Sequence, residues 1–257
     1  MNRKCGVLFD LDGVFYISNQ AIDGGQKLID SLRNKSIPFR FLTNTTTKTR
    51  KDICEKLGDI GLQVKENEIF SAAHIGINYL RSIGSPPCYL LIHEEIYSDY
   101  SEFDSHNRRP EFVVVGDRGH NWNYDDLNKG FRYLMEGAGL IALHKGRYFQ
   151  TSDGLEIDIG AFVAGFEYSS GKTAVSLGKP NPLFFQTVLK DISMKSEEVI
   201  MVGDDLINDI GGAQKTGIEG VLVRTGKFRE SDLLHPEIKP DYIIKSINEF
   251  EDLLSLS

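Results

Sequence analysis

The sequence predicts an α/β protein built on a parallel sheet and interrupted by a second α/β unit. Three observations carry this. Short apolar runs of strand length alternate with stretches whose apolar residues recur at helical spacing. Several runs end in acids, hydroxyls or amides, the residues an open parallel sheet presents to ligands outside its carboxyl ends. The texture changes near residue 86 and returns near 176, so the spacing predicts a core from 1–82 and 177–257 around an insertion at 83–176.

The first strand is the apolar run Gly6-Val7-Leu8-Phe9, and it ends in Asp10-Leu11-Asp12-Gly13. Two carboxylates a few ångströms apart repel by about 4 kcal/mol at an effective dielectric near 20. A hard cation with oxygen ligands would offset that repulsion, whereas a solvated Asp12-Gly13 turn would simply disperse it. A helix is expected over 24–35, with Leu28, Ile29 and Leu32 on one face. A second strand over 37–42 runs into Thr43-Asn44-Thr45-Thr46-Thr47, and a helix over 48–57 is expected to begin there. The unpaired N–H groups of a helix start suit a phosphate, but Thr or Asn there equally serves as a simple N-cap. Asn44-Thr45-Thr46 also fits a glycosylation pattern, which is not expected to be used because no secretory signal is read at the start of the sequence.

Ser85-Pro86-Pro87 breaks the helical pattern, and apolar runs at 88–92, 112–115 and 140–143 predict strands of the inserted unit. Between the last two, Leu127, Phe131 and Leu134 recur at helical spacing. The six histidines show no paired ligand spacing and read as surface or internally satisfied residues. Residues 165–173 imitate a P-loop but carry five residues where four are required, and their periodicity predicts a helix ending at Gly171. Nucleoside triphosphate binding is excluded on that basis.

After the insertion, Gly178-Lys179-Pro180-Asn181-Pro182 predicts a helix capped by Asn181 with Pro182 at its first position. Lys179 stands just ahead of it and by itself reads as solvated. The strand over 198–203 exits into Asp204-Asp205-Leu206-Ile207-Asn208-Asp209, where the acids bind a cation or merely cap and polarise the helix that follows. Strands over 220–223 and 242–244 complete a five-strand set.

Composition excludes several classes. A formal charge of −8 disfavours nucleic acid, whose binding rests on Lys and Arg neutralising phosphates. No apolar stretch reaches the length of a membrane span. Arg3 and Lys4 precede an apolar run, but Asp10 interrupts it too early for a signal peptide, so a cytoplasmic location is expected. Cys5, Cys54 and Cys88 are too widely spaced for a disulfide framework or a zinc site.

One site at the carboxyl edge of a sheet would gather Asp10, Asp12, Thr43, Asn44 and Asp204. Oxygen-only donors suggest magnesium, and the threonine, the asparagine, helix N-termini and Lys179 suit a phosphate. These residues, in this order, resemble the haloacid dehalogenase (HAD) superfamily of aspartate phosphatases. The likeness rests on Asp10-Leu11-Asp12-Gly13, Thr43-Asn44, Gly178-Lys179-Pro180 and Gly203-Asp204-Asp205 with Asp209 beyond. The inserted segment resembles the mixed α/β, C2-type cap of subfamily IIA, the NagD-like branch. Asp153-Gly154-Leu155, Glu167-Tyr168, Gly211-Gly212-Ala213-Gln214 and the run from Arg224-Thr225-Gly226 to Lys227-Phe228-Arg229 extend the match across the chain. Near relatives in that branch carry serine where this chain has Asp12, so their substrate preferences do not transfer wholesale.

The resemblance implies a Rossmann-like core with an inserted cap, and a Mg2+-dependent phosphohydrolase of small phosphorylated metabolites. It assigns Asp10 as the nucleophile that becomes an aspartyl-phosphate and Asp12 as general acid and base. Thr43, Asn44 and Thr45 would bind phosphoryl oxygens, and Lys179 would neutralise charge on Asp10 and the phosphoryl group. The metal would be held by Asp10, the Asp12 backbone carbonyl and Asp204, with Asp209 one step behind, positioning the metal ligands or Lys179, and Asp205 solvated or capping. The cap would close over the site with Asp158, Ile159 and Gly160 as its specificity loop, and a homodimer would form through the cap. A metal-independent dehalogenase is disfavoured by Asp12, Asp204 and Asp209. A phosphotransferase or mutase using the same intermediate, or a noncatalytic phosphate-binding regulator, are the alternative readings.

Overall fold

The computed structural model describes residues 5–106, 108–151 and 154–256. Arg3, Lys4 and Asp153 lie outside them. In chain order the elements are β1 (Gly6–Asp10), β2 (Tyr16–Ile17), β3 (Gln20–Ala21), α1 (Gly25–Asn34), β4 (Phe39–Thr43), α2 (Arg50–Asp59), β5 (Ile69–Ser71) and α3 (Ala72–Ser82). Next come β6 (Cys88–Leu91), α4 (Glu94–Tyr100), β7 (Phe112–Val115), α5 (Tyr124–Met135), β8 (Gly139–Ala142), β9 (Tyr148–Thr151), β10 (Gly154–Ile157), α6 (Gly160–Ser170) and β11 (Val175–Ser176). The chain finishes with α7 (Pro182–Asp191), β12 (Val199–Gly203), α8 (Gly212–Gln214), β13 (Glu219–Val223), β14 (Tyr242–Ile244) and α9 (Phe250–Leu256). No helix among the described residues is long and apolar enough to cross a membrane.

The chain divides into two compact units: residues 1–43, 50–70 and 179–257 form the first, and 44–49 with 71–178 the second. The first holds a six-stranded sheet in the order β14-β13-β12-β1-β4-β5. β1 lies between β12 and β4 and is parallel to both, with Leu8 opposite Met201 on one side and Arg40 on the other. The chain builds outward from β1 through β4 to β5 and later from β12 through β13 to β14. Strand order therefore reverses between β1 and β12, which is where open α/β sheets bind ligands. All five residues of β1 are buried, which explains its continuous apolar run. Leu28, Ile29 and Leu32 of α1 join Phe9, Phe15, Phe41 and Phe250 in one core, where Phe15 meets Phe9 and Phe41 edge-on at 5.2 Å. β5 adds a sixth strand to the expected five; its three residues are too short for a periodic pattern.

The second unit is a parallel sheet in the order β11-β8-β7-β6, with Val114 opposite Leu90 and Ile141. α5 and α6 pack on it through Leu134, Val163 and Phe166. α5 is capped by Asn123, which accepts the Asp126 N–H at 2.9 Å, and α6 ends at the left-handed Gly171, as its apolar periodicity predicts. The sequence reading did not anticipate the antiparallel hairpin of β9 and β10; its apolar Tyr148, Leu155 and Ile157 are exposed rather than turned into a core.

Residues 71–82, expected with the first segment of the core, pack as α3 within the second unit. Ser71 caps α3 by accepting the His74 N–H, and the buried Tyr100 hydroxyl donates to Ala73 O at 2.6 Å. Tyr100→Phe should therefore cost about 1–3 kcal/mol, the range for a buried carbonyl that loses its donor, measured as a lower urea midpoint. The segment expected to open α2 differs too. α2 begins at Arg50 rather than residue 48, and 44–49 is irregular chain, so no helix N-terminus follows Asn44 directly.

Candidate active site

β1 delivers Asp10 to the carboxyl edge of the first unit's sheet, and β12 delivers Asp204 beside it. The π-type turn Leu206–Gly211 that follows carries Asp209 back toward both. One carboxylate oxygen from each of Asp10, Asp204 and Asp209 lies within 4.8 Å of the others, and all three residues are buried. Lys179, 4% exposed, enters from the segment ahead of α7. Its Nζ donates to Asp10 Oδ1 at 2.5 Å, to Asp209 Oδ1 at 2.6 Å and to Leu42 O at 3.4 Å. The lysine that read as solvated is thus the internal counter-ion of two buried acids. The Lys179–Pro180 peptide bond is cis, and Asn181 caps α7 by accepting the Leu183 N–H at 2.9 Å.

Charge in this site follows from burial. Burial pushes Asp10 above the ordinary carboxylate range, with Lys179 pulling it back. Asp209 is pushed by burial up to about 7 despite Lys179. Asp204 stands well above its usual value, through burial first and then the Asp10 and Asp209 charges. Burial works to discharge Lys179, but Asp10 and Asp209 outweigh it and raise its affinity for the proton. Asp12 is exposed on the turn after β1, yet the protein crowded around its carboxyl raises it, against the pull of Lys227 and Lys56. Tyr16, beneath Lys56 at 4.4 Å, is raised by burial and by Asp12.

Asp204 Oδ1 is buried with no hydrogen-bond partner among the described residues, while Oδ2 accepts the Lys227 backbone N–H at 2.6 Å. A buried carboxylate with an orphaned oxygen, beside two more carboxylates and no nitrogen or sulfur donor, fits a hard divalent cation. Asp209 is differently engaged, since Oδ1 holds Lys179 and Oδ2 accepts the Asp205 N–H at 3.1 Å. Asp205 turns out to be a cap. Its side chain accepts from the Ile207 and Asn208 N–H groups, and although burial raises it, Asn208 and Lys227 bring it below its ordinary value.

Thr43 is buried at the end of β4, next to β1. Asn44 and Thr45 follow it but group with the second unit, where Gly178 leaves no room for a Cβ against Asn44 Oδ1 and Thr45 O accepts the Ala73 N–H at 3.5 Å. Asp158, Ile159 and Gly160 also belong to that unit. Ile159 is 1% exposed. Asp158 Oδ1 accepts the Ile159 N–H and lies 3.7 Å from Nε2 of the buried His144, whose Nδ1 accepts the Gly146 N–H. The remaining described histidines do not gather into a ligand set.

The sequence reading used the loop over 224–229 for the family resemblance but assigned Lys227 no part in the site. The signal was present: Arg224-Thr225-Gly226-Lys227 is the polar exit of β13, the same feature that singled out Asp10, Thr43 and Asp204.

A buried carboxylate cluster with an internal lysine, at the switch point of a parallel α/β sheet interrupted by a second α/β unit, defines a hydrolase of the phosphatase type. A haloacid dehalogenase-like hydrolase family model matches residues 7–106, and a HAD-hydrolase-like model matches 176–250. The chain belongs to the haloacid dehalogenase-like hydrolase family, in its NagD-like subfamily IIA. It is 38% identical over 255 residues to phospholysine phosphohistidine inorganic pyrophosphate phosphatase of Homo sapiens, covering 97% of this chain and 93% of the relative. The crystal structure of 4-nitrophenylphosphatase from Thermotoga maritima superposes with a TM-score of 0.90 at 28% identity, covering 97% of each chain. NagD from E. coli K-12 superposes with a TM-score of 0.86 at 27% identity, covering 95% of this chain and 97% of that one.

Proposed function

We propose that the protein is a magnesium-dependent phosphohydrolase of a small phosphorylated metabolite, working through an aspartyl-phosphate on Asp10. The observation that carries this is Asp10 itself: a buried carboxylate held by a lysine, beside an orphaned oxygen of a second carboxylate. In this reading Asp10 attacks phosphorus while the bond to the leaving oxygen breaks, and water then cleaves the aspartyl-phosphate to release phosphate and restore Asp10. Asp12 donates a proton to the leaving oxygen and later takes one from the water, a role worth about 10²–10⁴ in rate. The raised affinity of Asp12 for its proton supports that assignment. Lys179 offsets the charge of Asp10 and of the phosphoryl group it receives. Asp10, Asp204 and the Asp12 carbonyl would hold Mg2+, which when bound supplies positive charge against the phosphoryl oxygens. Asp209 orients Lys179 rather than the metal, as its hydrogen bonds suggest. Thr43, Asn44 and Thr45 bind phosphoryl oxygens, and the inserted unit acts as a cap with Asp158 and Gly160 near the leaving group.

Phosphoamidates and pyrophosphate join phosphoesters as candidate substrates, because the human relative is a phospholysine phosphohistidine inorganic pyrophosphate phosphatase. A cytoplasmic homodimer joined through the cap completes the reading. The test is phosphate release from a panel of phosphoesters, phosphoamidates and pyrophosphate, with Mg2+ or with chelator. Release should require Mg2+, and the ranking should name the leaving-group class. Transfer of the phosphoryl group to an added sugar in preference to water would replace hydrolase by phosphotransferase, and release unaffected by chelator would remove the metal.

A further inference from the structure

Two loops meet on a single oxygen of Asp204. One is the turn after β1, through Gly13 at φ 86°; the other leaves β13, through Gly226 at φ 58°. A Cβ on either glycine would collide with Asp204 Oδ2, so both backbones approach it as closely as glycine allows. Lys227 donates its N–H to that oxygen at 2.6 Å. The Thr225 hydroxyl donates to Gly13 O and ties the two loops to each other. The Lys227 ammonium stands 3.6 Å from Asp205 Oδ2, anchoring the loop from its other side. Oδ2 is therefore gripped, and Oδ1 is the oxygen left buried and unpartnered among the described residues.

We propose that Thr225, Gly226 and Lys227 are positioning residues that fix the Asp204 rotamer so that Oδ1, and only Oδ1, is offered to the cation. The inference rests on the metal reading above and adds to it the device that presents the ligand. A carboxylate free to rotate would lose torsional entropy when the ion arrives, whereas one already held by a backbone N–H does not. Partners of this kind are worth roughly 10–100-fold in metal affinity.

Thr225→Val keeps the shape and removes the tie, and Thr225→Ser restores the hydroxyl. Mg2+ is titrated calorimetrically into the full chain after chelator treatment and its removal, for wild type and both variants. Amide exchange at Lys227 is followed in the metal-free proteins. The valine variant should bind Mg2+ about tenfold more weakly and exchange the Lys227 amide faster, with serine returning both to wild type. Gly226→Ala, which pushes the loop away, should weaken Mg2+ binding at least as far as valine does. Equal Mg2+ affinity or equal Lys227 exchange in wild type and Thr225→Val overturns the positioning role and leaves the metal reading standing. A wild type that takes up no Mg2+ overturns both.

Discussion

Asp10→Asn should lower kcat on the order of 10⁴-fold or more without unfolding the protein. The amide keeps the shape of the carboxyl but cannot form the acyl-phosphate, and nucleophile removal has effects of that size in covalent hydrolases. Lys179 would keep its Asp209 partner at 2.6 Å and Leu42 O at 3.4 Å. Because burial works against an ionised Asp10, metal-free Asp10→Asn should be at least as stable as wild type at neutral pH. Acid-quenched wild type should carry one covalent phosphoryl group per active chain in a single turnover, and the variant none. Turnover equal to wild type would dismiss Asp10 as the nucleophile.

Lys179→Met should be the most destabilising change in the site, and its effect should grow with pH. Removing one partner of a buried ion pair costs about 3–5 kcal/mol, because the charge left behind has no solvent. Here two carboxylates are left, Asp10 and Asp209. The sign follows from proton binding. Asp209 binds its proton more tightly folded, at about 7, than at its unperturbed value of 3.8. Its contribution to stability is therefore fully present below 3.8 and is lost as pH rises through about 7. Without the ammonium, its folded value moves higher still, and Asp10 follows. In chelator, the stability gap between wild type and Lys179→Met should be small near pH 4 and reach its full size at pH 8, read as urea midpoints. A gap independent of pH would contradict the buried-pair account. Turnover should also fall about 10²–10³-fold, as for loss of one charge-stabilising group.

The sequence and the tertiary structure divide the determination of this site along a physical line. Strand existence is local, since a run such as Gly6-Val7-Leu8-Phe9 has the length and continuity of a strand buried on both faces. An acid just past such a run must stand at a sheet edge, so Asp10 and Asp204 were legible as a pair. Asn181 and Pro182 were legible for the same reason, because capping involves only the first turn of a helix. β5 and the β9–β10 hairpin were not, as three residues or an exposed pair leave no periodic signal.

Lys179 marks the boundary of local reasoning. Alone it reads as solvated, and its partners lie 169 and 30 positions away, at Asp10 and Asp209. The grip of Gly13 and Gly226 on Asp204, and the tie from Thr225 that closes it, likewise come from loops 212 positions apart. The class of fold, the acids at the strand exits and the kind of chemistry those oxygen donors suit could all be read along the chain. Packing alone revealed that Lys179 is buried between Asp10 and Asp209, that Asp204 Oδ1 has no hydrogen bond among the described residues, and that Asn44 and Thr45 group with the inserted unit. Periodicity and capping act within a few residues, whereas burial, ion pairing and close backbone approach depend on strands brought side by side from distant parts of the chain.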